Sequence, residues 1–414
     1  MKSHEPRQLR RALGLLDAVG IGFGAIVGAG IFVVTGVAAG IAGPSLILAL
    51  GLAGAAAAAN ALSSAQLAAV YPYAGGSYEY GYRVLGAWPG YIAGWMFLAS
   101  KTAAAGTVAI GLGGYLGALV PGLPTRIAAV AAIALFTLLN LYGIKRTSTA
   151  NLAIVAASVG ALLLFVLFAV DDVSATHFEP FAPEGGAGIL RAAALLFFAY
   201  TGYARIATLG EEVRDPQRTI PRAVVITIIG AILLYAAVAT VAIGTAGASA
   251  LAHTTAPLYV AAAGTSHPWL PATVAIGGVA AMLGVVLSQI LGLSRMTVAM
   301  ARRDDLPSRL SGVDDHGVPR YSVIVVGIVA AIVAATGALD AVVAAASFTI
   351  LVYYGITNAA ALRLREGTRW LPAWVSVFGL LACAVLAFAL DARTIVTGLV
   401  VLAIGILVRL LLRR

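Results

Sequence analysis

Charge is scarce in this chain. Asp, Glu, Lys and Arg make up 10% of its 414 residues, where soluble domains carry about 25%. No charged residue lies between Asp17 and Glu79. With 61% of residues hydrophobic, that scarcity excludes a soluble globular domain and points to a multi-spanning membrane protein. Cysteine is scarcer still. Cys383 stands alone inside an apolar run, so it has no intrachain disulfide partner and reads as a small buried residue. His4, His177, His253, His267 and His316 fall in loops or at span ends, and no His/Cys cluster has metal-ligand spacing. Neither a Gly-Lys-Ser/Thr phosphate loop nor an HExxH helix is present. No metal, cofactor or ATP-driven step is therefore expected.

Glycine is what the chain concentrates. The stretch Gly20–Gly36, GIGFGAIVGAGIFVVTG, lies in the first long apolar segment and carries Gly20, Gly22, Gly24, Gly28, Gly30 and Gly36. Each glycine costs a helix interior about 1 kcal/mol relative to alanine. So many at one depth predict an interrupted helix, with unwinding at Ala25–Val27. In lipid, the freed N–H and C=O groups must be satisfied by protein, water or a ligand. An outer half-helix starting at Gly28, Ala29 and Gly30 offers N–H groups to an anion. The freed carbonyls of Ala25 and Ile26 offer themselves to a cation. The same glycines also suit a plain helix-packing face.

Hydropathy predicts twelve spans, near 15–40, 43–70, 86–118, 125–143, 149–170, 188–209, 221–246, 271–301, 320–338, 341–362, 371–390 and 393–411. The net charge of +9 is spread through short loops, which sets orientation rather than binding nucleic acid. Of the 26 Lys and Arg residues, only Arg126, Arg191 and Arg393 fall at outer ends, and Lys101, Arg205 and Arg295 within or near span ends. The rest lie on one side with the basic leader Lys2, Arg7, Arg10 and Arg11, so both termini are expected in the cytoplasm. The leader is expected to be retained. The same topology leaves no Asp or Glu within a span. The first span is interrupted at Gly28/Gly30 and the sixth near Thr201–Gly202. Interruptions at matching positions of two inverted halves point to a transporter's binding site.

Four blocks resemble the amino acid–polyamine–organocation (APC) superfamily: GAIVGAGIF, YPYAGGSYEYGYR, FFAYTGY with EEVRDPQRTIPRA, and SRMTVAMARRDDLP. The resemblance implies an all-α membrane protein of twelve transmembrane helices with a LeuT-like 5+5 inverted repeat, helices 1 and 6 being broken. Residues 1–414 would then form a single transporter domain, with repeats at about 14–170 and 188–362 and extra helices at about 371–411. It further implies a substrate amino acid or related amine held by Ala25, Ile26, Gly28, Ala29 and Gly30 from the first break. Phe198, Tyr200, Thr201 and Gly202 would join from the second, with the Phe198 ring as a gate. Many relatives carry an acid shortly after the second glycine, where this chain has Ala204 and Arg205.

Lys101 stands well inside the third span. A charge at that depth is costly to insert, about 2.5–3.5 kcal/mol, so the lysine is expected to face the bundle interior. A snorkelling lysine is the plainer reading. Some proton-coupled relatives have a lysine in span five, where alignment puts Ser158 here. Lys101 is therefore expected to supply the fixed positive charge, and the titratable proton, of the central site. Ser288 and Gln289 are candidates to line it. Asp17 and Arg205 are candidates for an inner gate, with Arg295, Glu211 and Glu212 nearby. The wall spans are mostly Ala, Gly, Val and Leu, which favours a neutral, small or apolar substrate side chain.

The expected function is secondary active transport of amino acids across the plasma membrane by alternating access, coupled to protons or running as exchange. The lipid bilayer and the amino acid are the expected partners. The rival readings are an amino-acid-binding sensor or channel without coupled transport, and a membrane-embedded enzyme. Paired helix breaks favour a carrier. The lack of an intramembrane acid, His pair or Ser/Lys dyad near a break argues against an enzyme.

Overall fold

A computed structural model describes residues 13–71, 75–143, 148–207, 213–315 and 317–413. Among these residues the regular structure is helical, apart from one parallel bridge. There Leu13 pairs with Val213, and Arg214 N donates to Leu13 O at 2.9 Å. The first half runs α1 (Leu15–Ile26), α2 (Thr35–Ala42), α3 (Leu46–Val70), α4 (Ser77–Tyr80), α5 (Ala87–Leu119), α6 (Thr125–Leu141) and α7 (Ser148–Ala169). The second half runs α8 (Gly185–Tyr200), α9 (Ala204–Ala207), α10 (Pro216–Ala246), α11 (Ala248–Ala252), α12 (Pro257–Ala263) and α13 (Leu270–Ala301). It continues with α14 (Arg320–Thr336), α15 (Leu339–Leu362), α16 (Ala373–Ala389) and α17 (Ala392–Leu412).

Eight stretches among the described residues are long and apolar enough to cross a membrane, and α6, α14 and α16 are shorter apolar helices. The protein is multi-pass. Its first stretch, Leu15–Val70, has 56 residues, where one crossing needs about 20. It is divided by a 3₁₀ turn at Gly43–Ser45. Gly43 has φ +58°, and a Cβ there would stand 2.8 Å from Pro183 Cδ, so the turn needs a glycine. The stretch between α10 and α13 folds into α11 and α12. At the start of α17, the Asp391 carboxylate accepts from the Thr394 hydroxyl at 2.7 Å and from its amide at 2.9 Å. Those bonds, led by the hydroxyl, hold the Asp391 carboxyl below its ordinary range.

Two packing groups position the site. In one, α1 lies on α10, α2 on α8, and α3 on α8 and α10. In the other, α5 packs on α6, α13, α14 and α15. Small residues set the spacing, as expected where helices associate without a hydrophobic drive between them.

Candidate functional site

The first break falls where the glycines predict it. α1 ends at Ile26, and Val27 leaves the helix with φ −72° and ψ 108°. The chain resumes as a π-helical turn at Gly30–Val34 that runs into α2. The N–H groups of Gly28, Ala29 and Gly30 thus start a helical segment, the position at which backbone donors lack intrahelical acceptors. The second break is milder: α8 tightens into a 3₁₀ turn at Thr201–Tyr203 before α9. The two breaks cross in contact. A Cβ on Gly30 would collide with the Ala199 backbone, and one on Gly202 with the Ala25 carbonyl. Each glycine is therefore required by the other segment's main chain.

One cavity of about 50 Å³ lies at this crossing. Ala25, Ile26, Gly28, Ala29 and Gly30 line it from the first break, and Phe198, Ala199, Thr201 and Gly202 from the second. Lys101 and Val108 of α5, with Val285 and Gln289 of α13, form the opposite wall. Typical ligand pockets measure about 300–1,000 Å³, so in this conformation the wall lies close against the breaks. Lys101 Nζ sits 5.9 Å from the Phe97 ring centroid, within cation–π reach. Among the described residues no carboxylate forms an ion pair with it.

The other sequence candidates lie elsewhere. The Tyr200 hydroxyl donates to Leu50 O at 3.2 Å, and its ring packs against Tyr235 rather than bordering the cavity. Ser158 donates to Val155 O at 3.1 Å, and Ser288 to Gly284 O at 2.9 Å, so each bonds back to its own helix. Neither borders the cavity. The Asp17 carboxylate accepts from Gly14 N at 2.8 Å, at the start of α1. Arg295 is exposed. The side chain of Arg205, and Glu211 and Glu212, lie outside the described residues.

Several contacts were not legible in the sequence. The Tyr235 hydroxyl of α10 donates to Ile26 O at 2.8 Å and lies 3.5 Å from Ala199 O, touching both breaks. Ile26 thus already spends one carbonyl lone pair inside the protein. Beyond the cavity, Tyr115 of α5 donates to Phe32 O at 2.7 Å and accepts from Leu258 N at 3.2 Å. That joins the segment after the first break to α12. No acid is expected within a span, and Glu79 and Asp305 lie just beyond span ends, yet both are buried. Asp305 accepts from the Tyr78 hydroxyl at 2.9 Å and from Tyr82, and pairs with Arg409 at 3.7 Å and Arg413 at 3.4 Å. Glu79 pairs with Arg83, and with Arg303 at 2.5 Å. The cluster ties α4, the end of α13 and the end of α17 together. Burial is sustained there because each acid has several charged donors.

A sequence model of the amino acid permease family matches residues 17–409. An uncharacterized transporter of Mycobacterium tuberculosis is 42% identical over 407 residues, covering 97% of this chain and 91% of that protein. A branched-chain amino acid permease of Bacillus subtilis is 29% identical over 437 residues, covering 99% and 94%. A cationic amino acid transporter of Arabidopsis thaliana is 30% identical over 356 residues, covering 80% of this chain and 58% of that protein. The last two are named for amino acids of different side-chain class.

Proposed function

The chain belongs to the amino acid permease family, whose members are transporters and not enzymes, and from that premise we propose how it works. It is a secondary active transporter that moves amino acids or related amines across the plasma membrane by alternating access, coupled to protons or running as exchange. The observation that carries this reading is the cavity in which both helix breaks meet the wall lysine. Backbone N–H groups of Gly28, Ala29 and Gly30 hold the substrate's α-carboxylate. The α-ammonium takes the carbonyl of Ala25, the remaining lone pair of Ile26, and carbonyls of the second break. Phe198 packs over the substrate. Lys101 supplies the positive charge, and in a proton-linked mode it is the group that exchanges the proton. Thr201 donates to Phe198 O at 2.9 Å, which supports the bent second segment.

Counting the three shorter apolar helices as crossings, and dividing the first stretch at Gly43–Ser45, gives twelve spans. Both termini are then cytoplasmic, in keeping with the bias of Lys and Arg. Release and loading require the wall to move from the breaks, and the Tyr115 contacts to Phe32 and Leu258 to part on the outer side. Purified protein in liposomes should show saturable counterflow of a labelled amino acid. Uptake without saturation, or none for any amino acid, would contradict the reading. An imposed pH gradient and a preloaded unlabelled amino acid separate the two coupling modes.

A further inference from the structure

The two faces of the cavity differ in what they can read. The broken-helix face is main chain, small residues and the Phe198 ring. Its backbone recognises the carboxylate and ammonium common to every amino acid. The opposite face is built of side chains on continuous helices, so it must read the substrate's side chain. The composition of the wall spans favours an apolar partner. The residues that reach the cavity are of another kind: Lys101 and Gln289 stand beside Val108 and Val285.

The charges do not balance for a neutral substrate. The start of a helical segment carries partial positive charge, Lys101 adds a full one, and among the described residues no acid lines the cavity. A zwitterion brings its own two charges, and the backbone of the breaks answers both. The Lys101 ammonium is then left without an anion in a site where charge is poorly solvated. A cationic side chain worsens the imbalance. A carboxylate at the end of the side chain removes it, and the Gln289 amide can donate a second hydrogen bond to the same group. Val108 and Val285 suit the methylenes that lead to it.

We propose that the transported substrate is a dicarboxylic amino acid, with its side-chain carboxylate held by Lys101 and Gln289. This inference rests on the transport reading and names the substrate class of the same cavity.

The test is binding, followed by thermal shift of the purified full-length protein and competition for counterflow in liposomes. Aspartate and glutamate are compared with asparagine, glutamine, leucine, valine, lysine and arginine. The acidic pair should bind at concentrations at least tenfold lower than any neutral or cationic competitor. Lys101→Gln should remove that advantage while neutral amino acids still bind. Lys101→Arg, which keeps the charge, should preserve it and guards against a variant that merely misfolds. Gln289→Leu should weaken acidic ligands more than leucine. Tighter binding of neutral or cationic amino acids, or an unchanged preference in Lys101→Gln, overturns the substrate class and leaves the transporter standing. Failure of every amino acid in both assays overturns the transport reading, and the inference with it.

Discussion

The interrupted segments and the wall they face are built on opposite principles. α1 and α8 stop inside the bundle, at Ile26 and Tyr200, and spend their continuity on exposed main chain. α5 and α13 run 33 and 32 residues without interruption. Their backbone groups are satisfied within the helix, so only side chains are left to meet a ligand. In the proposed mode of binding the difference divides recognition: broken helices address the part of a substrate that never varies, and whole helices address the part that does. It also divides motion. The breaks are held to each other by glycine-to-backbone contacts and one tyrosine. The C-terminal ends of α13 and α17 are pinned with α4 by a buried ion cluster.

That contrast can be broken at either end. The largest effect is expected on the wall side. Asp305→Ala leaves Arg409, which is 1% exposed, facing no carboxylate, and removing one partner of a buried pair costs about 3–5 kcal/mol. Its melting temperature in detergent should fall more than that of any other single variant considered below. Next comes the crossing. Gly202→Ala puts a Cβ onto the Ala25 carbonyl, and overpacking of this kind costs about 1–3 kcal/mol. Because it pries the breaks apart at the cavity, substrate affinity should fall along with stability. Tyr235→Phe removes the donor to Ile26 O and one hydrogen bond worth about 1 kcal/mol. Uptake should drop about fivefold with only a slight change in melting temperature. Ser288→Ala removes a bond that returns to its own helix and should change both by less than about 0.5 kcal/mol. An equal loss in Ser288→Ala and Tyr235→Phe would erase the distinction between wall and break.

Much of this was legible in the residues. Long apolar runs show which segments cross, since lipid demands about 20 residues each time. The glycines locate the first break because few other reasons tolerate so many in one helix. What escaped depends on phase and distance. Ser288 and Gln289 are neighbours, but successive helical residues point about 100° apart at 3.6 residues per turn. A shift of one position decides which of them meets the cavity. Tyr235 reaches Ile26 across 209 positions, and Asp305 reaches Tyr78 across 227. No local pattern records such partners. Glu79 and Asp305 lie beyond the spans, where hydropathy says nothing of the aromatic and guanidinium groups that cover them.

The account turns on Lys101 as the charged centre of the cavity. Uptake of a labelled amino acid into liposomes, measured across pH for the unmodified protein and for Lys101→Ala, tests it most directly. The variant should either lose uptake or retain uptake that no longer responds to pH. Full, still pH-dependent transport by Lys101→Ala would contradict it.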